Sequence, residues 1–116
     1  MRTLHLDVDS DLHAPRVLRH ALRTWLEAVD CTDDTKFDIV LLVSELASDA
    51  VREQATRVSA VMSFEHGRLR VDLDDDRPAQ TTVGHRGPRR LAEQIADGWG
   101  RGSAATGTHT WAEILC

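Results

Sequence analysis

Long apolar runs are missing from this chain: nothing approaches the ~20 residues needed to cross a bilayer. Residues 1–15 carry Asp7, Asp9 and Asp11 and no apolar signal run, so the protein is expected in the cytoplasm, without a membrane contact. Cysteine is scarce. Cys31 and Cys116 are too few for a disulfide framework and match no metal motif, and both are expected as reduced thiols. Lysine is reduced to Lys36, and the formal net charge of −5 argues against a free-standing nucleic-acid binder, because phosphate contacts need a basic face. Paired histidines of the HxxxH or HExxH kind are absent, and no Ser-His-Asp or Cys-His motif is present for nucleophilic hydrolysis.

What is present fits one globular domain spanning residues 1–116, with 41% hydrophobic and 28% charged residues. The stretch that stands out is Asp38 to Gln54. Ile39, Val40, Leu41, Leu42, Val43, Leu46, Ala47, Ala50 and Val51 cover nearly the whole circumference of a helix, which should therefore be buried. Asp38, Glu45, Asp49 and Arg52 nevertheless fall on one narrow stripe of it. Two carboxylates four residues apart repel each other, and burial without partners costs several kcal/mol on the order of a broken buried pair. Such a stripe faces either a ligand, with Glu45 handling a proton and Asp49 a cation, or its own counter-charge, with Arg52 closing an ion pair to Asp49.

Around this helix the chain reads as strand, helix, helix, strand, strand, helix, strand. Thr3–Val8 alternates as a half-buried strand. Ser10 or Asp11 caps a helix with Pro15 in its first turn and an apolar face from Ala14 to Val29. Thr32 or Asp33 caps the central helix, which runs to about Gln54. Val58–Phe64 and Leu69–Leu73 alternate on either side of a His66-Gly67 turn, the signature of a hairpin. Asp74–Gly87 reads as a surface loop, Arg89–Trp99 as a short helix, Gly98–Gly107 as a second loop and Thr108–Leu115 as a closing strand. Trp25, Trp99 and Trp111 are expected as core anchors. These elements predict an α+β, two-layer sandwich, with a mostly antiparallel sheet and the helices on one face.

In this order, LLVSELASDAV, VDLDDDRP, a loop with HRG, LAEQIADGWG and GTHTWAEIL resemble the GHKL (histidine-kinase-like) ATPase family. The resemblance is to its actinobacterial anti-sigma-factor serine-kinase branch, and it covers about Val17 to Leu115. It implies a regulator that binds Mg²⁺ and ATP, acts as a serine/threonine kinase where the pocket is intact, engages a sigma factor or its antagonist, and can form a homodimer. On that resemblance Glu45 matches the general base, Asp49 the Mg²⁺ ligand and Asp75 the acceptor of the adenine amino group. Gly87 matches the lid glycine, and Thr108 or Thr110 a last-strand threonine near the base. Beside the lid, Arg86, Arg89 and Arg90 form a basic cluster that either grips phosphates or an acidic partner surface, or faces water as a helix-start charge group.

Three positions depart from the family's pattern. Asp49 stands where the family has Asn, Arg77 where it has a small residue close to the base, and Pro88 follows a lid with only Gly84 and Gly87. A second reading follows from them: a GHKL-type fold kept as a protein-interaction module, with the Arg77 guanidinium reaching toward Asp75 or Asp49 and filling the nucleotide pocket.

Overall fold

A computed structural model describes residues 1–77, 86–104 and 107–116, excepting the side chains at 86–88 and 104. Its elements are β1 (Arg2–Asp9), α1 (Ala14–Leu26), α2 (Asp33–Arg52), β2 (Arg57–Glu65), β3 (Arg68–Asp75), α3 (Arg86–Ile95), β4 (Gly98–Ala104) and β5 (Gly107–Leu115). The sheet order is β1-β2-β3-β5-β4, and all four pairings are antiparallel. The helices lie on one face, so the expected two-layer α+β sandwich is what forms.

Local chemistry sets the helix ends. In α1, Pro15 sits in the first turn, and the Asp11 carboxylate accepts the His13 backbone N–H at 2.8 Å. Ser10 caps nothing. Its face Ala14, Leu18, Leu22 and Leu26 is buried, following the apolar spacing. In α2 the Thr32 hydroxyl accepts the Thr35 N–H at 3.2 Å, while Asp33 and Asp34 sit favourably at the positive end of the helix dipole. Leu42, Val43, Leu46, Ala47 and Ala50 pack against Val58, Ala60 and Met62 of β2 and Leu69, Val71 and Leu73 of β3 in one core. The hairpin turn takes the left-handed backbone that His66 and Gly67 were expected to supply, with φ of 51° and 72°.

Three expectations are corrected. Residues 98–104 form a strand, β4, rather than a loop. Gly98, Gly100 and Gly102 alternate along it and supply no side chains to signal a strand. The Trp111 indole lies against the backbone of Gly98 and Gly100 instead, so that a Cβ at Gly100 would come within 2.6 Å of the indole Nε1. Trp99 accordingly belongs to β4, and Trp111 lies on the sheet face away from the helices, with the Arg70 guanidinium 4.9 Å from its ring centroid. Finally, Cys31 and Cys116 are not free thiols. They form a disulfide between the α1–α2 connection and the chain end, with Cα atoms 5.1 Å apart. No helix among the described residues is long and apolar enough to cross a membrane.

Candidate functional site

The carboxylates singled out on sequence do meet. Asp49, near the end of α2, has no exposed surface, and Asp75, the last residue of β3, is 7% exposed. Between them lies the guanidinium of Arg77, itself 5% exposed. Its Nη1 donates to Asp49 Oδ2 at 2.9 Å, and its Nε and Nη2 donate to the two oxygens of Asp75 at 2.8 and 2.7 Å. The Arg77 backbone N–H adds a further bond to Asp75 Oδ1 at 3.0 Å. Burial alone would lower the Arg77 pKa, but the hydrogen bonds and charges of Asp75 and Asp49 outweigh it and hold the group above its ordinary value.

A second arginine completes the cluster. Arg101 of β4 donates from Nη2 to Asp49 Oδ2 at 3.2 Å and from Nε to the buried Thr110 hydroxyl at 2.9 Å. Nothing in the sequence singled out Arg101. The signal that could have found it is its place opposite Thr110 in the β4–β5 register, which is invisible while 98–107 is read as a loop. Arg52 approaches Asp49 Oδ1 only to 3.8 Å, and that oxygen accepts no hydrogen bond among the described residues. The expected Arg52–Asp49 pair therefore exists but is the weakest of the three contacts.

The β3–β5 edge presses close beside the cluster. Asp75 is paired with Thr108 and Leu73 with Thr110. Gly107, at φ 156°, lies so near that a Cβ there would overlap the Asp75 carbonyl oxygen. Thr108 and Thr110 thus both flank Asp75, with Thr110 committed to Arg101. Glu45, one helical turn before Asp49, is half-buried and makes no hydrogen bond or ion pair among the described residues. Arg86 and Gly87 fall in the first turn of α3, and their side-chain surroundings lie outside the described residues, as do Pro88, Gly84 and His85. Arg89 and Arg90 of the same basic group face water, with Arg89 stacked on Trp99 at 5.9 Å.

The donor set does not fit a Mg-bound triphosphate as it stands. Mg²⁺ needs oxygen ligands at about 2.0–2.1 Å in a near-octahedral shell, whereas Asp49 Oδ2 already accepts from two guanidinium groups and only the buried Oδ1 is left open. Three of about four lone-pair positions on Asp75 are taken by Arg77, leaving one on Oδ2 for any other donor. The cluster's chemistry is that of a closed internal ion network.

No family model matches the chain, and no curated protein does. Among solved structures, a likeness is found to the crystal structure of the RsbU and RsbW domains of Rv1364c from Mycobacterium tuberculosis. The two superpose with a TM-score of 0.82 at 22% sequence identity, over 99% of this chain and 32% of that one. This chain therefore spans about a third of that protein, and the likeness establishes the fold.

Proposed function

We propose that this protein is a regulatory protein-binding module of the anti-sigma-factor type, built on the GHKL fold, in which Arg77 occupies the place of the nucleotide. Its partner is a sigma factor or an antagonist protein, met in the cytoplasm. The observation that carries this reading is the Arg77 guanidinium held between Asp49 and Asp75, the two carboxylates that the family's pattern assigns to metal and base. The fold shared with an RsbW-containing structure supports the partner class.

Calorimetric titration with Mg·ATP and Mg·ADP tests the proposal. The wild-type protein is expected to give no binding heat up to millimolar nucleotide. The double variant Asp49→Asn, Arg77→Gly removes the plug and restores the amide, and it is expected to gain measurable affinity; Arg77→Ser replaces Arg77→Gly if a thermal melt shows the glycine variant unfolded. Binding in neither protein would refute the plug. Direct titration against purified sigma factors and antagonists encoded in the same genome tests the partner.

A second reading is favoured by Glu45, half-buried without a partner, and by the unsatisfied Asp49 Oδ1 one turn away. On it, the protein is an Mg·ATP-binding serine/threonine kinase of the anti-sigma class, and nucleotide displaces Arg77. Micromolar Mg·ATP binding by the wild-type chain would establish this reading over the first.

A further inference from the structure

The Arg77 guanidinium arrives between Asp49 and Asp75 because the backbone that carries it is fixed from outside the cluster. The β2–β3 ladder ends at Asp75, opposite Val58, so the sheet register gives out just before Arg77. There the Asp76 carboxylate takes over. It accepts the backbone N–H groups of Thr56 and Arg57 at 2.6 and 3.0 Å, and the Thr56 hydroxyl as well. Three of its about four acceptor positions are thus spent on the segment that opens β2.

That segment is itself firmly held. Ala55 is buried and its N–H donates to the Ala50 carbonyl of α2 at 3.0 Å, while the Thr56 carbonyl accepts the Ser10 N–H at 2.9 Å. Asp76 therefore ties the chain bearing Arg77 to the corner that follows the helix bearing Asp49. The Arg77–Asp49 bond makes a second tie between the same two segments. Each tie, when made, keeps the groups of the other at high effective concentration, so the two support one another. Gly107 closes the third side: a Cβ there would overlap the Asp75 carbonyl oxygen and come within 2.7 Å of the Asp76 Cα.

The two ties differ in where they lie. Asp49 and Arg77 are buried, whereas Asp76 and Thr56 are exposed, so an event at the surface reaches the outer tie without entering the pocket. Resting on the reading of Arg77 as the occupant of the nucleotide place, we infer that Asp76 is the positioning residue of that plug and forms its latch with Thr56. With the clamp closed the guanidinium is delivered to the two carboxylates; with the clamp released, the population in which Arg77 has left them rises. Asp76 acts through the backbone of Arg77 and not on the carboxylates themselves.

The probe is phenylglyoxal, which modifies guanidinium groups that reach water, used under single-hit conditions with the rate at each arginine read by peptide mass spectrometry. In the wild type Arg77 is expected to react far more slowly than the exposed Arg68 of the same strand. Asp76→Ala is expected to raise the Arg77 rate about tenfold, the loss of a clamp of exposed hydrogen bonds, and Thr56→Val to raise it less. Asp74→Asn, which removes an exposed carboxylate two residues away, is expected to leave it unchanged. Hydrogen exchange at the buried Leu46 amide is followed in parallel, because a latch frees Arg77 without opening the core. No rise in Asp76→Ala, an equal rise in Asp74→Asn, or a rise matched by Leu46 overturns the inference. Where a thermal melt shows Asp76→Ala unfolded, Thr56→Val, which keeps both backbone donors, decides alone. Nucleotide titration of Asp49→Asn, Arg77→Gly is read separately: no binding there refutes the plug, whereas an unchanged Arg77 rate refutes the latch.

Discussion

Asp49 and Asp38 stand on the same helix, about three turns apart, and meet opposite fates. Asp49 is wholly buried and held by Arg77 and Arg101, with Arg52 nearby; Asp38 is partly exposed and paired with nothing among the described residues. A carboxylate taken out of water must be matched from within, because the unpaired charge costs several kcal/mol on the order of a broken buried pair. One left at the surface is tolerated unmatched and stays available. The same sequence stripe therefore holds a closed site at one end and an open one at the other.

The disulfide bears on this contrast most heavily. It closes a separation of 85 residues and ties down the connection that carries the open, acidic end. The chain-entropy estimate for a loop of that length is about 4–5 kcal/mol. Guanidinium melts with and without dithiothreitol are expected to show a loss of that order, matched by Cys31→Ser. Nucleotide behaviour is expected to stay the same, since no member of the Arg77 cluster touches either cysteine. A reduced protein as stable as the oxidised one would show that the open end does not depend on the crosslink.

Breaking the closed end comes next. Arg77→Ala strands Asp75 in the interior and leaves Asp49 to Arg101 alone, and it is expected to destabilise the fold by about 3–5 kcal/mol, read by denaturant melts. Replacing Asp49, Asp75 and Arg77 together with apolar residues of similar volume is expected to recover most of that loss, since the one charge left behind, on Arg101, is 25% exposed and reaches water. If Arg77→Ala is as stable as the wild type, Asp49 and Asp75 are wetter than their burial indicates.

The sequence made this contrast partly readable. The apolar period placed α1 and α2, alternation placed β1, β2, β3 and β5, and Asp75 was legible as a match to a known pattern, with Asp49 and Arg77 as departures from it. What could not be read was β4. Its strand signal is carried by Trp111 on the neighbouring strand, since Gly98, Gly100 and Gly102 have no side chains of their own to alternate. Losing β4 meant losing Arg101, whose place beside Asp49 depends on strand register and not on local sequence. The disulfide was equally hidden, because two cysteines separated by 85 residues say nothing about their distance until the fold brings them together.

A smaller effect sits between the two ends. The Asp76 carboxylate accepts from the backbone N–H groups of Thr56 and Arg57 at 2.6 and 3.0 Å and from the Thr56 hydroxyl, pinning the chain just before Arg77 to the start of β2. The Thr56 hydroxyl, then the Arg57 N–H, hold its pKa below the ordinary carboxylate range. Because the folded-state pKa is the lower one, this contribution is fully present above the ordinary carboxylate pKa and is lost as pH falls through the folded value. Asp76 is exposed and solvent-screened, so Asp76→Asn is expected to cost about 1 kcal/mol at neutral pH rather than the 2–3 of a buried set. Melts at pH 7 and near pH 3 are expected to show the difference shrinking. A difference that grows toward low pH would place the stabilisation elsewhere.

The mildest change completes the contrast. Asp30→Asn together with Asp38→Asn removes two unmatched surface charges from a crowded acidic stretch, so stability is expected to stay within about 0.5 kcal/mol of wild type, shifted if at all toward greater stability as like-charge repulsion falls. Stability would then rest on the buried end of α2 and not on its first turns, since a charge matched from within holds the fold and an unmatched surface charge does not. A double variant that loses stability by as much as Arg77→Ala would mean the open end is braced from inside after all, and the contrast between Asp38 and Asp49 would fall.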